Sequence, residues 1–129
     1  MELKDYLALQ NKRRKPHKQE ESQIQMELVN WLQRTYPDVI FTSALGGIKT
    51  TIGQAVKLKR LGYRKHWPDL FLAAPRKRFL GMMVELKKPK GTVDPGQRDL
   101  CLKLNNLGYK AVICYGLVQA QLTIQEYLG

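Results

Sequence analysis

After residue 20, segments with a helical spacing of apolar residues alternate with short segments of β-strand character. In the first of them Ile24, Leu28 and Leu32 recur at helical spacing, and Pro37 ends the pattern. The predicted order of elements along the chain is α, β, α, β, β, α, β, α. This order predicts an α/β fold in which helices pack on the faces of a mixed central sheet.

The predicted bounds follow from the same patterns and from the glycines and prolines that interrupt them. Helices are predicted over residues 20–36, 52–61, 95–107 and 118–128, and strands over residues 39–42, 69–74, 79–87 and 110–115. The turn at residues 75–78 joins the second and third strands, which therefore form an antiparallel hairpin. Gly62 and Gly108 are predicted to end the second and third helices.

The chain is basic throughout. It has 129 residues, 43% of them hydrophobic, and 22 Lys and Arg against 11 Asp and Glu, a net charge of +11. That size suits one domain, predicted over residues 19–129, preceded by a basic arm or short helix over residues 1–18. Without that arm the charge is still +7, since residues 1–18 carry six basic and two acidic residues. A basic folded surface favours a polyanionic partner, with nucleic acid the leading candidate.

Cysteine content and hydropathy indicate the compartment. The two cysteines, Cys101 and Cys114, lie in apolar segments without the spacing of a disulfide framework or a zinc site, so we expect both to be reduced and buried. No apolar run has the length of a signal peptide or a membrane span. We therefore expect an intracellular, cytoplasmic protein with no membrane association.

The strand over residues 79–87 combines apolar and charged side chains. Because side chains alternate along a strand, Glu85 and Lys87 point to one face and Val84 and Leu86 to the other. Asp69 begins its strand where Glu85 and Lys87 end theirs, so antiparallel pairing can bring Asp69 beside Glu85. Two carboxylates and an ammonium group are then predicted at one end of the sheet.

Two adjacent carboxylates repel each other unless a positive charge lies between them. A divalent ion such as Mg²⁺ prefers oxygen ligands, waters and phosphate oxygens, and it would bind a nucleic acid at the same time. An ordinary Glu–Lys pair on a solvated strand face, worth little energy, is the alternative for Glu85 and Lys87.

A further carboxylate lies in the first helix. At 3.6 residues per turn Glu21, Gln25, Leu28 and Leu32 form one stripe, so Glu21 is predicted at the N-terminal end of the core-facing side. The alternative is a solvated glutamate in the first turn, where the helix dipole favours negative charge.

Several short motifs recur in a fixed order along the chain. They are Pro68-Asp69-Leu70, Val84-Glu85-Leu86-Lys87, Lys90-Gly91 and Gln97, preceded by a helix that begins at Glu21 and contains Ile24-Gln25. This set resembles the VRR-NUC family of the PD-(D/E)XK nuclease superfamily, in its stand-alone phage or bacterial form. The resemblance extends from about Glu20 to Gly116 and implies a restriction-endonuclease-like fold.

The chain departs from the family pattern just before the Pro-Asp pair. Members of the family often have glycine there, whereas this chain has Lys65-His66-Trp67. We interpret His66 as a partly exposed loop residue, with a phosphate contact as the alternative, and Trp67 as a packing residue. The bulkier side chains bear on substrate choice more than on the metal site.

The resemblance implies a role for each residue of the central motifs. Asp69 and Glu85 would be ligands of Mg²⁺, for which Mn²⁺ could substitute, and the backbone carbonyl of Leu86 would be a third. Lys87 would hold the attacking water or stabilise negative charge on the phosphate.

The resemblance also implies roles for two helix residues. Glu21 would reach the metal directly or through water, with Glu20 as the alternative because helix starts are uncertain. Gln97 would form a hydrogen bond with the catalytic lysine or with a metal-bound water.

The implied activity is hydrolysis of DNA phosphodiester bonds. The resemblance points to branched, flapped or Holliday-junction DNA, as found in repair and recombination, cut by a homodimer. The alternatives are a DNA-binding module of the same fold that does not cut, and a sequence-specific restriction-like enzyme. Backbone contacts are expected from basic residues near the motifs, namely Lys57, Lys59, Arg60, Arg64, Lys65, Lys88 and Lys90.

Overall fold

The computed structural model describes residues 3–4, 20–44 and 51–129. Four helices and four strands in these residues follow the predicted order, with the bounds α1 Glu21–Thr35, β1 Phe41–Ser43, α2 Ile52–Arg60, β2 Leu70–Leu72, β3 Met82–Lys87, α3 Pro95–Asn106, β4 Lys110–Tyr115 and α4 Leu117–Leu128. Of the predicted basic arm only Leu3 and Lys4 are described, both exposed and helical. The remainder of that arm lies outside the described residues and stays a prediction.

The strands form one mixed sheet in the order β1-β2-β3-β4. β1 and β2 are antiparallel, as are β2 and β3, with Leu70 opposite Val84. β3 and β4 are parallel, with Glu85 opposite Ile113, and α3 forms the crossover between them. The predicted hairpin and the predicted α/β fold with helices on a mixed sheet are therefore confirmed.

The paired strands of the hairpin are shorter than predicted, because β2 ends at Leu72 and β3 begins only at Met82. Between them Arg76 and Phe79 exchange backbone hydrogen bonds of 3.3 and 2.9 Å around Lys77, whose φ is 54°. Gly81 then passes so close to β2 that a Cβ there would stand 2.9 Å from the Leu72 carbonyl oxygen. The chain thus approaches β2 closely at Gly81, and strand pairing begins only after it, at Met82.

The first core lies on the sheet face covered by α1 and α4. Ile24, Leu28 and Leu32 of α1, as predicted from their spacing, are fully buried against Val84 and Leu86 of β3. Burying an aliphatic side chain stabilises a fold by about 1.5 to 3 kcal/mol. This stripe therefore fixes α1, with Glu21 at its N-terminal end, against the centre of the sheet.

The second core lies on the opposite face, where α3 packs. It contains Met83, Leu100, Cys101, Leu104 and Ala111, with Trp67 and other half-buried residues around it. All six residues of β3 are buried, since helices cover both faces of that strand. Both cysteines are buried and free, as expected.

α2 differs from the other helices. Among the described residues no other helix or strand comes close to its backbone, and Ile52 and Val56 leave 86% and 54% of their surface exposed. Gly62, with φ 103°, ends this segment as predicted. Within the described ranges, no helix combines the length and the apolar character needed to cross a lipid bilayer.

Candidate active site

Glu85 and Lys87 lie side by side at the end of β3. Their Oε2 and Nζ atoms are 3.3 Å apart, and the two residues expose only 2% and 7% of their surface. They share a face of the strand, as predicted from the alternation of side chains. The alternative of a solvated surface pair is wrong, because α3 and the loop before β2 cover this face.

Asp69 lies directly before β2, next to the end of β3. Its Oδ2 atom accepts a 2.7 Å hydrogen bond from the backbone N–H of Leu86. That bond holds the carboxyl of Asp69 beside Glu85, since Leu86 is the next residue along β3. The structure therefore brings together Asp69, Glu85 and Lys87, the three residues that the hairpin argument places together.

The two carboxyl groups perturb each other's protonation. Burial and the negative charge of Asp69, against the opposing effect of Lys87, together raise the pKa of Glu85 to about 8. Burial also raises the pKa of Asp69, and the Leu86 N–H opposes that shift. Two neighbouring carboxyls repel each other when both are ionised, and Lys87 offsets only part of that repulsion.

One oxygen of this pair has no hydrogen-bond partner. Glu85 Oε2 faces Lys87 and accepts a 3.0 Å hydrogen bond from Gln97 Nε2, whereas Glu85 Oε1 is buried and unpartnered. Such an atom is rare in a folded protein, since burying it without a partner is costly. The position, beside the carboxyl of Asp69, suits a bound cation.

A complete cage of protein ligands is not present. Within the part of the chain that the structure describes, no three His, Cys, Asp or Glu side chains form a group able to hold a metal ion by themselves. Mg²⁺ is commonly bound by one or two carboxylates, with waters and substrate phosphates completing its shell. The pair Asp69 and Glu85 fits that pattern and does not fit a structural zinc site.

The N-terminus of α1 contributes a third carboxylate at longer range. Glu21 is half-buried, and its negative charge contributes to raising the pKa of Asp69. Glu20 is exposed, and its backbone carbonyl accepts hydrogen bonds from Gln23 and Ile24 as the helix begins. Of the two alternatives, Glu21 is the one whose charge reaches the site.

Gln97 joins the site from the start of α3. It forms a capping box with Asp94, in which the Asp94 N–H donates to Gln97 Oε1 at 3.3 Å. Its Nε2 donates to Glu85, rather than to Lys87 as the resemblance allowed. Sequence reasoning did not single out Asp94, although the spacing of Asp94 and Gln97 is that of a capping box.

The loop before Asp69 also contacts α3. His66 has a left-handed backbone, with φ 70°, and its ring lies against Gly96. Trp67 packs on the second core, which confirms its interpretation as a packing residue. The contact between His66 and Gly96 leaves no local signal in the sequence, since thirty residues separate them.

The predicted basic residues have no acidic partners among the described residues. Lys88 is half-buried and the other six are exposed, and none of the seven forms an ion pair among the described residues. Moreover, the sequence contains no Asp or Glu between Asp38 and Asp69. The positive charge of α2 and the following loop is therefore uncompensated.

The mixed sheet, its flanking helices and the Asp69–Glu85–Lys87 group define an α/β fold of the restriction-endonuclease-like type, and hence a nuclease-type domain. Residues 4–117 match the model of the VRR-NUC domain, so this chain belongs to the VRR-NUC domain family. A solved structure named "VRR_NUC domain protein" is similar, with a TM-score of 0.70 and 25% sequence identity over 84% of this chain and 87% of that chain. A search of curated protein sequences found no match.

Proposed function

We propose that this protein is a metal-dependent nuclease that hydrolyses DNA phosphodiester bonds, and that Asp69, Glu85 and Lys87 form its active site. The observation that carries the proposal is the unpartnered Oε1 of Glu85, which is buried beside a second carboxyl whose pKa is also raised. A cation at that position would satisfy the atom and remove the repulsion in one step. Membership of a family of nuclease-type domains supports the same conclusion.

Asp69 and Glu85 would hold a Mg²⁺ ion, for which Mn²⁺ could substitute. The bound ion would polarise the phosphate and lower the pKa of a coordinated water. The carbonyl of Leu86 is a further candidate ligand, since in a strand it lies on the same edge as the N–H that contacts Asp69. Glu21, which lies farther out, would act through water.

Lys87 is placed to act on the reacting groups. Its ammonium is nearly buried and 3.3 Å from Glu85, so its position is fixed before substrate binds. A preorganised positive charge in a site with little water stabilises the charge that develops on the phosphate far better than a solvated lysine does. It would also orient the attacking water. Gln97 would keep Glu85 in place through their hydrogen bond.

The basic surface would hold the DNA backbone. Contacts from α2 and its loop to phosphates give affinity without base selection, which suits an enzyme that recognises the shape of branched, flapped or Holliday-junction DNA. We further propose that two copies act together, because cutting both strands of a junction requires two sites. Sedimentation of the free protein and of its DNA complex would test this.

The decisive experiment incubates the protein with Mg²⁺ or Mn²⁺ and a panel of junction, flapped, single-stranded and linear duplex DNA. Asp69→Asn, which can keep the hydrogen bond from Leu86 while losing the charge, and Lys87→Ala are expected to abolish cleavage and to keep most DNA binding. Lys103→Ala is the matched control, since Lys103 is exposed and pairs only with Asp99. Cleavage that survives both site substitutions would contradict the proposed site.

The same panel separates the two other functions. A module that binds without cutting would give metal-insensitive binding and no products on any substrate. A restriction-like enzyme would give products at one fixed sequence in linear duplex, independent of branching.

A further inference from the structure

His66 occupies a backbone conformation that favours glycine. Its φ of 70° lies in the left-handed region, where a side chain with a Cβ is strained. The residue stands in the loop that leads to Asp69, and the neighbouring Pro68 is fully buried. Trp67 and Pro68 hold this loop against the core, and the ring of His66 makes a separate contact.

That contact is with the first turn of α3. A methyl group placed on Gly96 would stand 2.6 Å from His66 Nε2 and 2.7 Å from Cδ2, so the ring lies directly on the Gly96 backbone. On the other side of the ring, Nδ1 is 3.9 Å from Asp94 Oδ1. This separation is too long for a hydrogen bond and suits a longer-range electrostatic contact.

The same turn of α3 connects to the candidate metal site. Asp94 begins the helix, its Oδ1 accepts from Gly96 N–H at 2.7 Å, and its own N–H donates to Gln97 Oε1. Gln97 then donates to Glu85 through its other amide atom. A series of contacts thus links His66 to Glu85, from the ring on Gly96 through the Asp94 cap to Gln97.

His66 is also close in sequence to the other carboxylate, since Asp69 follows it by three residues through the buried Pro68. The ring therefore stands between two structural units. One is the loop that carries Asp69, and the other is the start of α3, whose Gln97 holds Glu85. The His66 ring is therefore placed to set the separation of the Asp69 and Glu85 carboxyl groups.

We propose that His66 is a positioning residue that fixes the start of α3 against the loop before Asp69, and thereby sets the spacing of Asp69 and Glu85 for the cation. The proposal rests on the proposed function, because that function makes the two carboxylates a metal site. It places the effect of His66 at the metal site, whereas the sequence alone indicated an effect on substrate choice.

Two single variants and their combination test the contact itself. His66→Gly removes the ring and the backbone strain together. Gly96→Ala keeps the ring but pushes it away, since the new methyl group would overlap it. Alanine is a better helix former than glycine, so Gly96→Ala should lower the melting temperature when His66 is present and raise it in the His66→Gly background. This reversal of sign is the expected result.

Titration calorimetry with Mn²⁺ on the DNA-free protein tests the function of the contact. Residues that support metal ligands typically change metal affinity by about tenfold to a hundredfold. His66 acts on Glu85 only indirectly, through the residues at the start of α3. We therefore expect His66→Gly and Gly96→Ala each to weaken Mn²⁺ binding by about threefold to tenfold. Cleavage should recover at saturating Mn²⁺, with the KM for DNA unchanged.

Lys77→Gly is the matched control. Lys77 is also a non-glycine residue in the left-handed region, with φ 54°, but it lies in the turn at the opposite end of β3. The substitution relieves the same kind of backbone strain and should leave Mn²⁺ affinity unchanged.

Three results would overturn the proposal. The first is an unchanged Mn²⁺ affinity in both single variants, and the second is a melting temperature that changes additively in the double variant. The third is weaker DNA binding by His66→Gly with unaltered Mn²⁺ affinity, which would make His66 a phosphate contact. If the wild-type protein itself bound no Mn²⁺, the proposed function would fail as well, and the melting data would show separately whether the contact exists.

Discussion

Helices α2 and α3 begin in the same way but lie in different surroundings. Each starts with a capping box, formed by Thr51 and Gln54 in α2 and by Asp94 and Gln97 in α3. α3 packs against the sheet and its first turn contacts Glu85, whereas no other described helix or strand comes close to the backbone of α2. Local signals thus form both helices, and tertiary contacts alone distinguish the helix that shapes the site from the one whose charges stay exposed.

This difference predicts that substitutions in the two helices affect different properties. Substitutions around α3 should change metal binding and catalysis and leave DNA affinity nearly intact. Substitutions in α2 should change DNA affinity and leave the metal site intact. Any variant that altered both properties strongly would show that the two regions are coupled.

The largest effect is expected at Glu85. Glu85→Gln should lower the cleavage rate by more than about a hundredfold, because it removes a proposed ligand of the ion that stabilises transition-state charge, and should weaken Mn²⁺ binding. It should also raise the melting temperature of the metal-free protein above about pH 4.5, because folding then no longer has to protonate or bury the charge of Glu85. The control is Asp99→Asn, which changes an exposed acid of α3 that pairs with Lys103. It should leave the cleavage rate, Mn²⁺ binding and melting temperature nearly unchanged. A loss of both activity and stability would indicate a merely structural role for Glu85.

Removal of charge from α2 should give the next largest effect. The triple variant Lys57→Ala, Lys59→Ala and Arg60→Ala removes three candidate phosphate contacts, so the slope of log affinity against log salt should fall by about 2.7 for duplex DNA. Mn²⁺ affinity should be unchanged. A control variant, Lys77→Ala with Arg78→Ala, removes charge from the turn at the far end of β3 and should leave binding nearly unaltered. An unchanged salt slope in the triple variant would place the DNA elsewhere.

A smaller effect is expected from pH on the metal-free protein. The pKa of Glu85 is raised from its ordinary value of 4.5 to about 8, so between these values the folded protein holds a proton that the unfolded chain has released. Stability should therefore be greatest below about pH 4.5, as far as this group is concerned, and fall as pH rises toward 8. Thermal melting of the wild type and of Glu85→Gln across this range measures the difference, which saturating Mg²⁺ should reduce. Parallel pH profiles for the two proteins would show that Glu85 titrates normally.

The smallest effects are expected from loss of the N-cap side chains of α2 and α3. Loss of an N-cap side chain costs about 1 kcal/mol of helix stability. Asp94→Ala should lower the global melting temperature, because α3 packs on the core. Thr51→Ala should leave that temperature unchanged and should instead speed hydrogen exchange in α2, which unfolds locally. Equal shifts in melting temperature would show that α2 is stabilised by contacts beyond its cap.

Much of the fold could be predicted from local patterns. The bounds of β4 agree with the prediction at both ends, because an apolar run is set off by Gly108 and Gly116. The hairpin prediction was too long, since Phe79 and Leu80 have strand character but Gly81 brings the chain too close to β2 for a longer ladder. Pairing depends on what the neighbouring strand permits, and one strand's sequence does not contain that information.

The site was predictable to a similar extent. Alternation and the hairpin placed Asp69 near Glu85, and the helical stripe favoured Glu21 over Glu20. The burial of Glu85 and Lys87 was not predictable from alternation, because it depends on α3 crossing the same face. The contacts of Gln97 with Glu85 and of His66 with Gly96 join distant segments, so no local pattern indicates them.

The burial of β3 on both faces has a consequence for how the sheet assembles. Shifting this strand by one residue against its neighbours would exchange its two faces, and Glu85 and Lys87 would enter the core beneath α1 while Val84 and Leu86 faced α3. Burying that charged pair among aliphatic side chains, away from Gln97 and from Asp69, would cost several kcal/mol. The residues proposed for catalysis thus also discriminate against misregistered folding, and their removal should leave the strand freer to slip.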